Sequence, residues 1–96
     1  MSLLILPSAL EDLQRGYDFY EDQAEGLGAY FQESLFSDIE SLKLFGGTHR
    51  RVYGYYRLLS QRFPYAIYYE KEGEEIRIRA VLDCRKNPKR IRKKLG

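Results

Sequence analysis

The chain has 96 residues, of which 44% are hydrophobic and 31% charged, a balance that suits one folded domain and excludes both a disordered polymer and two separate cores. No apolar run approaches the roughly 20 residues that span a bilayer, and the short segment Leu3 to Leu6 has neither a basic leader nor a small-residue cleavage site, so the expected location is the cytoplasm. The net charge of +2 hides a split: residues 1–48 carry nine acidic and two basic side chains, residues 49–96 five acidic and fourteen basic.

Leu3-Leu4-Ile5-Leu6 is too short for helical periodicity and is stopped by Pro7, which predicts a first strand. Ser8 and Glu11 have capping-box spacing, so a helix is expected to begin there. Ala9, Leu13, Tyr17, Tyr20 and Ala24 then line one face, with Glu11, Asp12, Arg15, Asp18 and Asp22 outward. Gly26 and Gly28 interrupt the pattern. A second helical run carries Leu27, Phe31, Leu35, Ile39 and Leu42 up to the stop at Gly46-Gly47. So short a connection predicts an antiparallel helical hairpin.

Beyond Gly47 the composition turns to tyrosine, β-branched residues and arginine, with strand-like runs at about 52–62, 65–70 and 75–83. Ile76, Ile78, Ala80 and Leu82 alternate with Arg77, Arg79, Val81 and Asp83, which predicts one buried and one more polar face. Glu72-Gly73-Glu74 supplies a hairpin turn, and Phe63-Pro64 a bend, because proline cannot donate to a sheet ladder. The expected architecture is α+β: a strand, a helical hairpin, three mostly antiparallel strands and a basic C-terminal tail, all in a single domain over residues 1–96.

That tail gathers Arg85, Lys86, Lys89, Arg90, Arg92, Lys93 and Lys94 within ten residues. Such a field attracts nucleic acid or an acidic protein surface, or it belongs to a solvated helix. The single cysteine, Cys84, excludes an internal disulfide framework, and with His49 the one histidine, no Cys/His metal site is expected. No cofactor motif is found. His49 beside Arg50 and Arg51 is expected to be a surface histidine rather than a general base. Cys84 is read as a passive, partly buried thiol, although the neighbouring Arg85 is a setting that lowers thiol pKa values. The nine tyrosines are expected mainly in packing, with Tyr17 and Tyr20 in the core. Sheet geometry can bring Arg57, Arg62, Arg77, Arg79 and Arg85 to one surface.

The order of Ala9-Leu10-Glu11-Asp12-Leu13, Ile39-Glu40-Ser41-Leu42, Tyr56-Arg57-Leu58-Leu59, Arg62-Phe63-Pro64-Tyr65-Ala66-Ile67-Tyr68-Tyr69 and Asp83-Cys84-Arg85-Lys86-Asn87-Pro88 resembles the RelE/ParE toxin superfamily, and within it the ParE branch. The closing segment is similar to the H-x-R-R-D-P end of ParE-like chains, departing from it at Asp83 and Asn87. The resemblance implies the toxin of a type II toxin–antitoxin (plasmid stabilisation) system, held by a cognate antitoxin. Two activities occur in the superfamily: inhibition of DNA gyrase by protein contact and ribosome-dependent mRNA cleavage. For the second, the expected basic positions hold Tyr56, Leu58 and Tyr65, only Arg85 stands in place, and no tyrosine follows Tyr69. The gyrase-type reading therefore leads; an RNase would have to draw on Arg57, Arg79, Arg85 and His49. A degenerate, non-toxic antitoxin-binding member is the third reading. The residues expected to contact antitoxin or target are Arg57, Arg62, Tyr65, Arg77, Arg79, Arg85, Lys86 and Arg90.

Overall fold

In the computed structural model, which describes residues 1–96, the first strand β1 (Ser2–Ile5) leads directly into helix α1 (Pro7–Gln23). Pro7 sits in the first turn, where a missing N–H costs nothing, and the extended Leu6 is the cap residue. The capping box expected at Ser8 and Glu11 is not formed. Because the helix starts one residue earlier, Ser8 lies inside the first turn, and its hydroxyl donates instead to the carbonyl of Arg79 at 2.9 Å. That bond ties α1 to the far end of the chain.

Helix α2 (Leu27–Glu40) follows a left-handed Gly26 at φ 87°, a conformation that costs glycine little. Its first turn is capped from α1: the Glu21 carboxylate accepts from the amides of Gly26 and Gly28, each at 2.9 Å. Gly16 lies under the Phe31 ring, and Gly28 approaches the Tyr17 carbonyl and Glu21, so late α1 meets early α2 and the hairpin is antiparallel as expected. A Cβ at Gly16 would overlap that ring. One further turn, α3 (Leu42–Phe45), closes the helical half.

The second half supplies β2 (Arg51–Val52), β3 (Tyr55–Leu59), β4 (Tyr65–Glu72) and β5 (Glu75–Asp83). The sheet has five strands in the order β1-β5-β4-β3-β2, with β1 parallel to β5 and every other pair antiparallel. The α+β class holds, but the expected strand at 52–62 is two strands. Tyr53 and Gly54 both adopt positive φ, at 56° and 86°, which folds the run back on itself in a tight hairpin. Phe63-Pro64 does mark the bend before β4.

A register shift between β4 and β5 decides which side chains share a face. Tyr69 pairs with Ile78 and Tyr68 with Ala80, leaving Arg79 as the extra residue of a bulge. The alternation therefore changes phase. Ile76, Ile78 and Val81 join the helical-hairpin core, while Ala80 and Leu82 face the opposite side, so the single buried face expected for Ile76, Ile78, Ala80 and Leu82 is divided between two. The larger core holds 13 buried residues, including Leu13, Phe31, Leu35, Ile39, Ile67 and Tyr69. On the other side, Ala66, Tyr68, Ala80 and Leu82 pack with Ile91 and Leu95 of a last helix, α4 (Pro88–Leu95). The basic tail is thus an ordered helix, capped by the Asn87 side chain, which accepts from the Lys89 amide at 2.8 Å.

Candidate functional site

A cleft of about 1040 Å³ opens between α1, the adjoining ends of β4 and β5, and α4. Its apolar floor is Gly16, Tyr65, Val81, Leu82 and Ile91, and Phe19 of α1 stands on its wall with 47% of its surface exposed. The rim carries six cations, Arg15, Arg85, Lys86, Arg90, Lys93 and Lys94, against two carboxylates, Asp12 and Asp83.

Both carboxylates are committed inside the protein. Asp12, expected to face solvent, is 6% exposed: it accepts from the Val81 amide at 3.0 Å and pairs with Arg15 at 2.9 Å and Lys94 at 3.4 Å. One carboxylate thus joins α1, β5 and α4. Burying it without these partners would cost several kcal/mol, on the order of the usual penalty for an unpaired charge. Its position follows from β1 ending at Ile5, which leaves the edge of β5 open at Val81 for a side chain to satisfy. Asp83 accepts from both the Nε and Nη2 of Arg85, at 3.0 and 2.8 Å, and from the Arg85 amide at 2.8 Å. The Arg85 hydrogen bond holds the Asp83 carboxyl below its ordinary range, and Asp83 in turn raises the Arg85 guanidinium. Between them and the floor, burial, reinforced by Asp83, pushes the Tyr65 hydroxyl up to about 12, so it stays a neutral hydrogen-bonding group.

Of the residues expected to form one contact surface, the fold brings Tyr65, Arg85, Lys86 and Arg90 to this cleft. It separates the others. Arg77 pairs with Glu72 and Glu75, both at 3.2 Å, at the opposite end of β5. Arg79 sits in the bulge and donates to the Ser8 hydroxyl at 3.1 Å. Arg57 is half-buried on β3, with Tyr68 as its register partner and its Nε enclosed without a hydrogen bond. Arg62 is exposed in the bend and stacks over the Tyr30 ring, 5.9 Å from its centroid.

His49 is not a free surface residue. It is half-buried, its Nδ1 is hydrogen-bonded to the Tyr69 hydroxyl, and burial lowers its pKa. The same hydroxyl accepts from the Gly47 amide at 2.9 Å, which leaves its proton for the histidine. Cys84 is exposed rather than partly buried, and desolvation raises its thiol, against the lowering suggested by the adjacent arginine. Arg85 itself turns to Asp83. No group of three or more His, Cys, Asp or Glu side chains could hold a metal ion.

Arg15 and Phe19 belong to the cleft without having been singled out beforehand, and Lys93 and Lys94 of the basic run join them. The available signal was spacing: Asp12, Arg15 and Phe19 fall three and four residues apart, on one stripe of α1.

A family model described as "ParE toxin of type II toxin-antitoxin system, parDE" matches residues 3–88. The chain belongs to the ParE toxin family. A solved structure titled as the chromosomal ParDE TA system from P. aeruginosa is similar in fold, with a TM-score of 0.72 at 23% identity over 84% of this chain and 92% of that one. No curated protein sequence matches the chain significantly. The match ends at Pro88, so the ParE family pattern covers the sheet and hairpin, while α4 lies almost wholly beyond it. No helix of this ParE-family chain is long and apolar enough to cross a membrane.

Proposed function

We propose that this chain acts in the cytoplasm as a plasmid-stabilising toxin that inhibits DNA gyrase by protein contact and is silenced by a cognate antitoxin. The observation that carries the non-catalytic reading is the dispersal of the groups an RNase would need. His49 is held at Tyr69, Arg79 at Ser8, and Arg85 by Asp83, while Arg57 lies against Tyr68 on β3. General acid–base cleavage of a phosphodiester needs such groups converging within hydrogen-bond reach of one phosphate.

The contact surface in this reading is the cleft, with Tyr65 at its floor and Arg85, Lys86 and Arg90 on its rim. Arg62, exposed on the bend over the Tyr30 ring, stands apart from it. Arg57, Arg77 and Arg79 support the sheet rather than the partner, since each is half-buried or already paired. The antitoxin contributes an acidic segment that orders on binding, drawn by the fourteen basic residues of the second half.

Induced expression with and without the neighbouring gene tests this, scoring growth, plasmid supercoiling and mRNA integrity in the same cells. Arrest with altered supercoiling and intact mRNA, relieved by the neighbour, is the expected result. Fragmented mRNA would replace the reading by the RNase, and unimpeded growth by a non-toxic antitoxin-binding member.

A further inference from the structure

We infer that the cleft between α1 and α4 also binds a single strand of nucleic acid, holding its phosphodiester backbone on the rim cations and stacking a base on Phe19. This goes beyond the protein contact proposed above and does not depend on which protein is the target.

Three observations carry it. The first is uncompensated charge. Both carboxylates of the cleft are spent on internal partners, and neither Lys86, Arg90 nor Lys93 has an ion-pair partner in the structure. Arg90 and Lys93 on α4, and Lys86 in the turn before it, keep their charge for a ligand with several negative groups. The second is Phe19. A phenylalanine with nearly half its surface in water, standing among the cations, is the pairing that single-strand binding proteins use: a charged groove that follows the backbone and a ring on which a base lies. Tyr20 braces that ring edge-on from inside, with 5.0 Å between centroids, which fixes the platform.

The third observation separates nucleic acid from a peptide that adds as a strand. A peptide entering here as an added strand would need free amides along β5 beyond the end of β1. The Val81 amide on that edge is already taken by the Asp12 carboxylate at 3.0 Å. The cleft therefore offers side-chain cations and an aromatic face, which match phosphates and bases.

The test uses the full chain and fluorescently labelled dT and rU 12-mers at 50 mM salt, read by anisotropy. Binding is expected with both, weakening as salt rises with a slope of about −2 to −3, the value for three or four phosphates at about −0.7 each on a single strand. The tighter of the two identifies the natural strand as DNA or RNA. Replacing Arg90 and Lys93 together by Ala is expected to lower affinity about tenfold or more. Phe19→Ala, which leaves the charge unchanged, is expected to lower it about fivefold or more. All three side chains are exposed, and coincident circular-dichroism spectra confirm that the variants fold. Absence of binding at 50 mM salt, or binding indifferent to Phe19→Ala, would overturn the inference. So would an equally charged poly-glutamate peptide that binds as tightly and is equally sensitive to Phe19→Ala, since the cleft would then be an acidic-protein site. Failure here leaves the supercoiling result of the growth experiment untouched, so the two proposals fail separately.

Discussion

The two sides of the sheet are built to different standards. On the hairpin side, 13 buried residues close around Tyr20, Phe31, Phe63 and Tyr65, whose rings meet at centroid distances of 4.8 to 6.2 Å. On the α4 side, four buried sheet residues and Ile91 and Leu95 of the helix form a thin layer under a helix whose outer surface is almost entirely cationic. The first arrangement stores stability in aromatic and aliphatic contact area. The second uses little apolar surface, and places its charge where a partner can reach it. Stability is thus concentrated on the hairpin side and free charge on the α4 side, with the cleft where α1 meets α4 between them, and substitutions should fall into two classes accordingly.

The sharpest contrast is expected from Phe31→Ala, which empties the centre of the hairpin core and should cost about 3–5 kcal/mol in urea unfolding. A loss below about 1 kcal/mol would mean that the hairpin side is not the main store of stability. Asp12→Ala comes next, at about 2–3 kcal/mol, because it strands the Val81 amide and releases both α1 and α4 from a shared carboxylate. Since this residue lies where the two faces meet, its variant should also loosen α4, read as faster amide exchange over residues 88–95. Gly16→Ala drives a methyl into the Phe31 ring and should destabilise by about 1–3 kcal/mol, without altering α4 exchange.

Titration of His49 gives a smaller effect with a definite sign. Its folded pKa lies below the ordinary 6.5, so the neutral form is favoured in the fold. The associated stability is fully present above about pH 6.5 and is lost as the pH falls through the lower, folded pKa. His49→Gln should remove that part of the pH dependence while leaving the acid limb below the ordinary carboxyl range, to which Asp83 contributes with a folded pKa that is also lowered. Unfolding curves between about pH 2 and 8 distinguish the two. At the bottom of the scale, Lys94→Ala should change stability by less than about 1 kcal/mol, since its partner retains Arg15 and the side chain is half in water.

Much of the hairpin side was legible in the sequence, because Leu27, Phe31, Leu35, Ile39 and Leu42 recur at helical spacing and nothing interrupts them before the glycines. The sheet was read as strands but not as faces. A bulge at Arg79 has no local signature, yet it moves Ala80 and Leu82 to the other side from Ile76 and Ile78. The hairpin at Tyr53-Gly54 was missed for a related reason: Tyr53 is a non-glycine residue in the left-handed region, where the preference tables offer little warning. The candidate site was half legible. Lys86 and Arg90 were visible as a charge run, but Asp12 read as an ordinary outward position of α1 and Phe19 carried no reading at all. Only the arrival of β5 and α4 buries the one and sets the other beside the cations. Long-range partners of this kind, 69 and 82 residues away for Asp12, are invisible to periodicity.

The claim that the α4 side serves binding while the hairpin side serves stability is tested most directly by replacing Lys86, Arg90 and Lys93 together with Ala, and measuring growth arrest and unfolding free energy on the same protein. The expected result is a fold within about 1 kcal/mol of the parent and loss of the arrest that the parent causes. Undiminished arrest in a stably folded variant would contradict it.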